Sequence, residues 1–157
     1  MASVTVGKKV PAFSLPATGG KQWKLADVAG KNLVLYFYPK DMTSGCTLES
    51  QNFRDLHAAF RKAGTVVMGI SRDSIASHDR FRAKDKLPFD LLSDEEEKVC
   101  KLFDVIQQKS MYGRKYMGVV RTTYLIAPDG KIAHRWDKVK VDGHTAEVLA
   151  KIDELAR

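Results

Sequence analysis

In the segment Asn32-Leu-Val-Leu-Tyr-Phe-Tyr38, Leu33 to Tyr38 is an unbroken run of aliphatic and aromatic residues closed by Pro39. A run with no polar alternation does not suit a sheet wetted on one side, so it predicts a central strand covered on both faces, as in a parallel sheet. Pro39 has no N–H to give to a ladder and ends the strand. The run is far shorter than the roughly 18 apolar residues of a membrane span. The opening Met-Ala-Ser-Val-Thr-Val-Gly-Lys-Lys has no apolar signal core, and a cytoplasmic location is expected.

Beyond this strand the hydrophobic pattern alternates in period. Phe53, Leu56, Phe60 and Ala63 recur at helical spacing up to Gly64. Thr65 to Ser71 is β-rich, and Ser74 to Lys86 reads as an amphipathic helix stopping before Leu87-Pro88. Phe89 to Leu92 is a short strand. Ser93-Asp-Glu-Glu-Glu97 then predicts a serine-capped, acid-rich helix start with a stripe of Val99, Leu102, Phe103 and Ile106. Val119 to Ala127 and Ile132 to Trp136 flank Pro128-Asp-Gly-Lys131, a hairpin signal, and Thr145 to Leu155 forms a last helix. Strands alternating with helices predict βαβ units and an α/β fold. The element order resembles a thioredoxin-like domain, a central mixed sheet with helices on both faces, filling residues 1–157 as one unit.

Composition narrows the chemistry. With 44% hydrophobic and 29% charged residues and no low-complexity tract, the 157-residue chain reads as an ordered globular protein, not a disordered or fibrous one. Its net charge of +7 admits polyanion binding, but the basic residues are dispersed and no nucleic-acid motif is present, so no nucleic-acid partner is expected. The two cysteines, Cys46 and Cys100, cannot build a disulfide framework, and no Cys-x-x-Cys or histidine cluster predicts a metal. His57, His78, His134 and His144 are scattered and read as structural or exposed. Any chemistry is that of single thiols, with no cofactor.

Ligands of open α/β sheets bind outside the carboxyl ends of the strands. Pro39 to Cys46 lies there, between the central strand and a helix. In a first helical turn, free N–H groups and the dipole favour thiolate over thiol at Cys46. The bland alternative is a small buried hydrophobe, although the flanking Thr, Ser, Gly and Thr make a poor apolar niche.

Pro39, Thr43 and Cys46 fit Pro-x-x-x-Thr-x-x-Cys, and Phe37 to Glu49 reads Phe-Tyr-Pro-Lys-Asp-Met-Thr-x-Gly-Cys-Thr-x-Glu. Together with the opening Gly7-x-x-Val-Pro-x-Phe-x-Leu-Pro16, Phe53-Arg-Asp55, Gly69-Ile-Ser71, Leu92-Ser-Asp94, Arg121 before Tyr124-Leu-Ile126, and Asp129-Gly130, the chain resembles the peroxiredoxins, in their bacterioferritin-comigratory or Q-type branch. The resemblance implies a thiol-dependent peroxidase of antioxidant defence, acting on hydrogen peroxide and organic hydroperoxides. It makes Cys46 the peroxidatic nucleophile, oxidised to sulfenic acid, with Thr43 offering its hydroxyl to the peroxide, Arg121 polarising substrate and favouring the thiolate, and Pro39 shielding it from water. Glu49 is expected either to orient that arginine or only to place an acid in the helix's first turn. Thr43 could instead be a simple cap, Pro39 a strand stop and Arg121 a solvated charge.

Turnover requires a second thiol. Relatives of this branch resolve with a cysteine five residues on, where Gln51 stands, or in the following helix around Ser77 to Arg82, which has none. Cys100 falls at the flank of its helical stripe, neither clearly core nor exposed, and is expected to be structural, with a resolving role as the alternative. The expectation is a one-cysteine peroxidase, monomeric, re-reduced by thioredoxin, glutaredoxin or a small thiol. Ser44 departs from the branch's usual proline and is expected to cap the helix itself. A thiol-disulfide oxidoreductase is disfavoured because Glu49 stands where its second cysteine belongs; a non-catalytic redox sensor or polyanion-binding module remains as a competing class.

Overall fold

The computed structural model describes residues 4–156. Asn32–Phe37 forms β3, and Leu33 through Tyr38 are wholly inaccessible to solvent. It lies parallel to β4 (Thr65–Ser71), which lies parallel to β5 (Leu91–Ser93). On its other side β3 pairs antiparallel with β8 (Thr122–Ile126), and β8 with β9 (Ile132–Trp136). The far edge is an N-terminal hairpin, β1 (Ser14–Ala17) and β2 (Lys21–Lys24), giving the order β2-β1-β5-β4-β3-β8-β9. The sheet is mixed, as expected.

The period-2 alternation of β3 sorts two cores. Leu33, Leu35 and Phe37 face a cluster holding Trp23, Val99, Cys100 and Phe103. Val34, Tyr36 and Tyr38 face the other, holding Cys46, Phe53, Phe60, Phe81, Val148 and Ile152. Helices α1 (Ser44–Asp55), α2 (His57–Lys62), α3 (Ile75–Asp85) and α5 (His144–Leu155) supply the second cluster, and α4 (Lys98–Leu102) the first. Helices therefore cover both faces. Among the described residues no helix is long and apolar enough to cross a membrane.

Several local expectations are corrected. The helix expected through Ala63 breaks at Leu56 into α1 and α2. Ser93 ends β5 and donates its hydroxyl to the Asp73 carbonyl, so it caps nothing; the start of α4 is served by Asp94, whose Oδ2 accepts from the Cys100 N–H at 2.7 Å. Ile106 does not extend α4. It opens a separate two-stranded ribbon, β6 (Ile106–Met111) with β7 (Arg114–Val119). The two turn residues, Tyr112 and Gly113, both have positive φ, the backbone of a two-residue hairpin. Tyrosine is a poor sequence marker for that conformation, which hid the ribbon.

Candidate active site

Cys46 is the third residue of α1, immediately beyond the carboxyl end of β3. It is only 1% exposed, although its sequence neighbours are polar, because it joins the buried cluster that also holds Tyr36 and Tyr38 of β3 and Phe53 of the same helix. The first-turn N–H groups of α1 add partial positive charge there.

Arg121 reaches the same point from 75 residues away in sequence. The antiparallel register pairs Phe37 with Thr122, so the residue just before β8 stands level with the exit of β3. Its Nη2 donates to Cys46 Sγ at 3.4 Å and its Nη1 to Glu49 Oε1 at 2.6 Å. Glu49 is fully buried, in the second turn of α1 rather than the first, so its acid answers the guanidinium and not the helix dipole. Burial raises its carboxyl to about 7 against the lowering pull of Arg121, and its Oε2 has no hydrogen-bond partner among the described residues.

Gly45 explains how the guanidinium comes so close. A Cβ built there would lie 3.1 Å from Arg121 Nη2. The sequence marks this glycine only as part of a motif; the reason for it is tertiary.

Thr43 is exposed at the N-cap of α1, but its hydroxyl donates to the Lys40 carbonyl at 2.9 Å and makes no capping bond. Its lone pairs stay open as acceptors. Ser44 is the first helical residue and not the cap. Pro39 is half-buried just beyond β3. Arg121, Glu49 and Cys46 are thus in direct contact, while Thr43 and Pro39 border them on the preceding loop. A cleft of about 430 Å³ lined by Val10, Leu25, Leu33 and Ile126 lies at the amino end of β3, away from all five.

Residues 6–135 match the family model described as the AhpC/TSA family. The chain belongs to the AhpC/TSA family. Within it, this peroxiredoxin is 49% identical to a putative peroxiredoxin Bcp of Coxiella burnetii over 96% of this chain and 99% of the relative. A bacterioferritin comigratory protein of Xanthomonas campestris, whose structures concern alkyl peroxide reduction, is 46% identical, with a TM-score of 0.89 over 92% of each chain. A PrxQ mutant of Xylella fastidiosa is 39% identical, with a TM-score of 0.94 over the whole of both chains. The fold is that of these thioredoxin-fold enzymes, and the chain is an enzyme of the thiol-dependent peroxidase type.

The second thiol of this peroxiredoxin lies across the sheet. Cys100 is fully buried in the cluster behind Leu35 and Phe37, whereas Cys46 belongs to the cluster in front of Tyr36 and Tyr38. Burial first, and then the Asp94 carboxylate, hold the Cys100 thiol far above the usual thiol range.

Two of the histidines are structural, as one of the two expected readings has it, but they are not without partners. His144 Nε2 is 2.8 Å from Thr123 Oγ1, and burial lowers its pKa to about 4. His78 is bonded to Asp41 and to the Leu92 carbonyl. No periodicity in the sequence reports such pairs, because each bridges separate elements.

Proposed function

We propose that this peroxiredoxin reduces hydrogen peroxide and organic hydroperoxides at Cys46, with Arg121 and Thr43 as the groups that receive the substrate. The observation that carries the reading is the single guanidinium joined to both Cys46 Sγ and Glu49. A thiolate at Cys46 sits against a fixed cation that buried Glu49 prevents from swinging away. The alkyl peroxide reduction studied in the Xanthomonas relative supports organic hydroperoxides as substrates.

The sulfur attacks the terminal oxygen of R–O–OH. The S–O bond forms, the O–O bond breaks, and the departing alkoxide takes up a proton to leave as alcohol, or as water from hydrogen peroxide. Sulfur is oxidised to sulfenic acid and the peroxide is reduced. Arg121 stabilises charge as it moves onto the leaving oxygen. Thr43, its hydroxyl donating to the Lys40 carbonyl, accepts a hydrogen bond from the peroxide and holds it in line. Pro39 covers the thiolate from bulk water.

An outside thiol then condenses with the sulfenic acid, releasing water and leaving a mixed disulfide, and a second thiol reduces that disulfide. Thioredoxin, glutaredoxin and small thiols all fit, with the chain acting as a monomer in the cytoplasm. The placement of Cys100 behind the sheet supports a one-cysteine cycle over an internal disulfide.

Consumption of tert-butyl hydroperoxide by wild type and Cys46→Ser, with thioredoxin and with glutathione, tests the reading. Wild type should turn over and Cys46→Ser should not, and dimedone should label Cys46 after one equivalent of peroxide. A Cys46→Ser protein that keeps its rate ends the mechanism.

A further inference from the structure

The loop Pro39–Thr43 between β3 and α1 is held by a buried polar cluster that the chemistry at Cys46 does not use. Asp41 is 4% exposed and His78, on α3, is fully buried. Asp41 Oδ1 accepts from the Tyr38 hydroxyl at 2.6 Å. Its Oδ2 accepts from Ser77 Oγ at 2.8 Å and lies 2.7 Å from His78 Nδ1. The Asp41 N–H donates to Asp73 Oδ2 at 2.9 Å, and Asp73 is itself held by Ser71. On its far side His78 Nε2 lies 2.8 Å from the carbonyl of Leu92 in β5.

The protons can be placed by chemistry. A carbonyl oxygen only accepts, so Nε2 carries a hydrogen. The contact between Nδ1 and Oδ2 also holds one, and Tyr38 and Ser77 donate to the same carboxyl group, so every polar atom of the His78 and Asp41 side chains is partnered. Asp41, Asp73 and His78 offer ligand-type atoms within 4.8 Å of one another, but those atoms already bond to protein donors and acceptors.

The placement in the chain gives this pair its consequence. Asp41 is two residues before Thr43, and Met42 between them has φ 62, a left-handed conformation uncommon for a non-glycine residue. Asp41 fixes one side, and the Thr43 to Lys40 hydrogen bond fixes the other. We infer that His78 is a positioning residue for peroxide reduction: through Asp41 it sets the backbone at Met42, and with it the place of the Thr43 hydroxyl relative to Cys46. This role rests on the proposed chemistry of Cys46 and Thr43.

A double-mutant cycle on kcat/KM for tert-butyl hydroperoxide separates this role from a merely structural one. His78→Gln is used because glutamine cannot reach both Asp41 and Leu92, and Asp41→Asn serves as a second, isosteric variant. Either change should lower kcat/KM by about 10- to 100-fold. Alkylation of Cys46 by iodoacetamide needs no Thr43 and should stay within about two-fold of wild type. In a Thr43→Val background the same changes should cost less than about two-fold more, since the group they position is gone. Additive losses, an equal loss of alkylation rate, or a folded variant with the wild-type peroxide rate overturns the inference. If neither variant folds, the pair serves the fold as a whole and the inference also fails. Cys46→Ser reads the underlying mechanism separately: an inactive Cys46→Ser beside a fully active His78→Gln removes only the role of His78.

Discussion

Arg121 and Glu49 form a 2.6 Å ion pair between the start of β8 and the second turn of α1, and the other arm of the same guanidinium rests on Cys46. A buried carboxylate with one unpartnered oxygen is costly by itself, so the pair holds the guanidinium in place while adding little net stability. Lysine keeps the charge but cannot fork between two acceptors. Arg121→Lys should therefore lower the rate of sulfenic acid formation by about 10²- to 10³-fold, the cost of losing a transition-state donor. Stopped-flow fluorescence at limiting peroxide measures it, and a loss below about three-fold contradicts the assignment.

Gly45→Ala separates activity from stability. The added Cβ meets Arg121 Nη2 at 3.1 Å, so the guanidinium must move by a few tenths of an ångström while Glu49 holds it back. Alanine in a helix is favoured over glycine by up to about 1 kcal/mol. Urea denaturation should show unchanged or higher stability together with a several-fold fall in peroxide kcat/KM.

Glu49 makes stability depend on pH. Its folded pKa, about 7, lies above the ordinary value of 4.5 because burial disfavours the charge. Between those values the folded state holds a proton that the unfolded state has lost. Its contribution is complete below pH 4.5 and is lost as pH rises through 7, with a magnitude on the order of 3 kcal/mol. The stability advantage of Glu49→Gln over wild type should accordingly be larger at about pH 8 than at about pH 5 in paired denaturation curves. An advantage that does not change with pH refutes this.

At position 44 the chain is already arranged for proline. Ser44 is the first residue of α1, where proline costs no hydrogen bond, and Thr43 has φ −82 and ψ 156, the conformation a residue before proline prefers. Ser44→Pro should add about 0.4–1 kcal/mol through the unfolded state and leave peroxide turnover intact. Thermal denaturation checks the first and a steady-state assay the second.

Cys100→Ser should keep full turnover with an external thiol, because its sulfur lies behind the sheet from Cys46. It should nevertheless cost about 1 kcal/mol, since a smaller, more polar hydroxyl replaces the thiol in a closed core, although the Asp94 carboxylate beside it can accept the new proton. Loss of thioredoxin-dependent turnover in a stable Cys100→Ser protein instead makes Cys100 the resolving residue.

The apolar run at 32–38 and the two-period alternation after it were enough to locate the central strand and the mixed sheet, and the Pro39, Thr43, Cys46 spacing pointed to the proposed reactive thiol. These are local properties: a strand buried on both faces leaves a continuous hydrophobic string, and a helix start after a strand leaves a spacing. What a pairing register decides is not local. The contact of Arg121 with Cys46 and Glu49 depends on Phe37 facing Thr122. The steric need for Gly45 depends on where that arginine lands. The separation of the two thiols depends on Leu35 and Tyr36 pointing to opposite cores. The clamp of Asp41 by His78 likewise joins a loop to a helix 37 residues away. Sequence by itself singled out the thiol proposed to carry the chemistry, because a strand exit, a helix start and a motif spacing are written beside that residue. Tertiary structure alone decided what surrounds it, because hydrogen bonds and ion pairs form between side chains that only the folded sheet brings together.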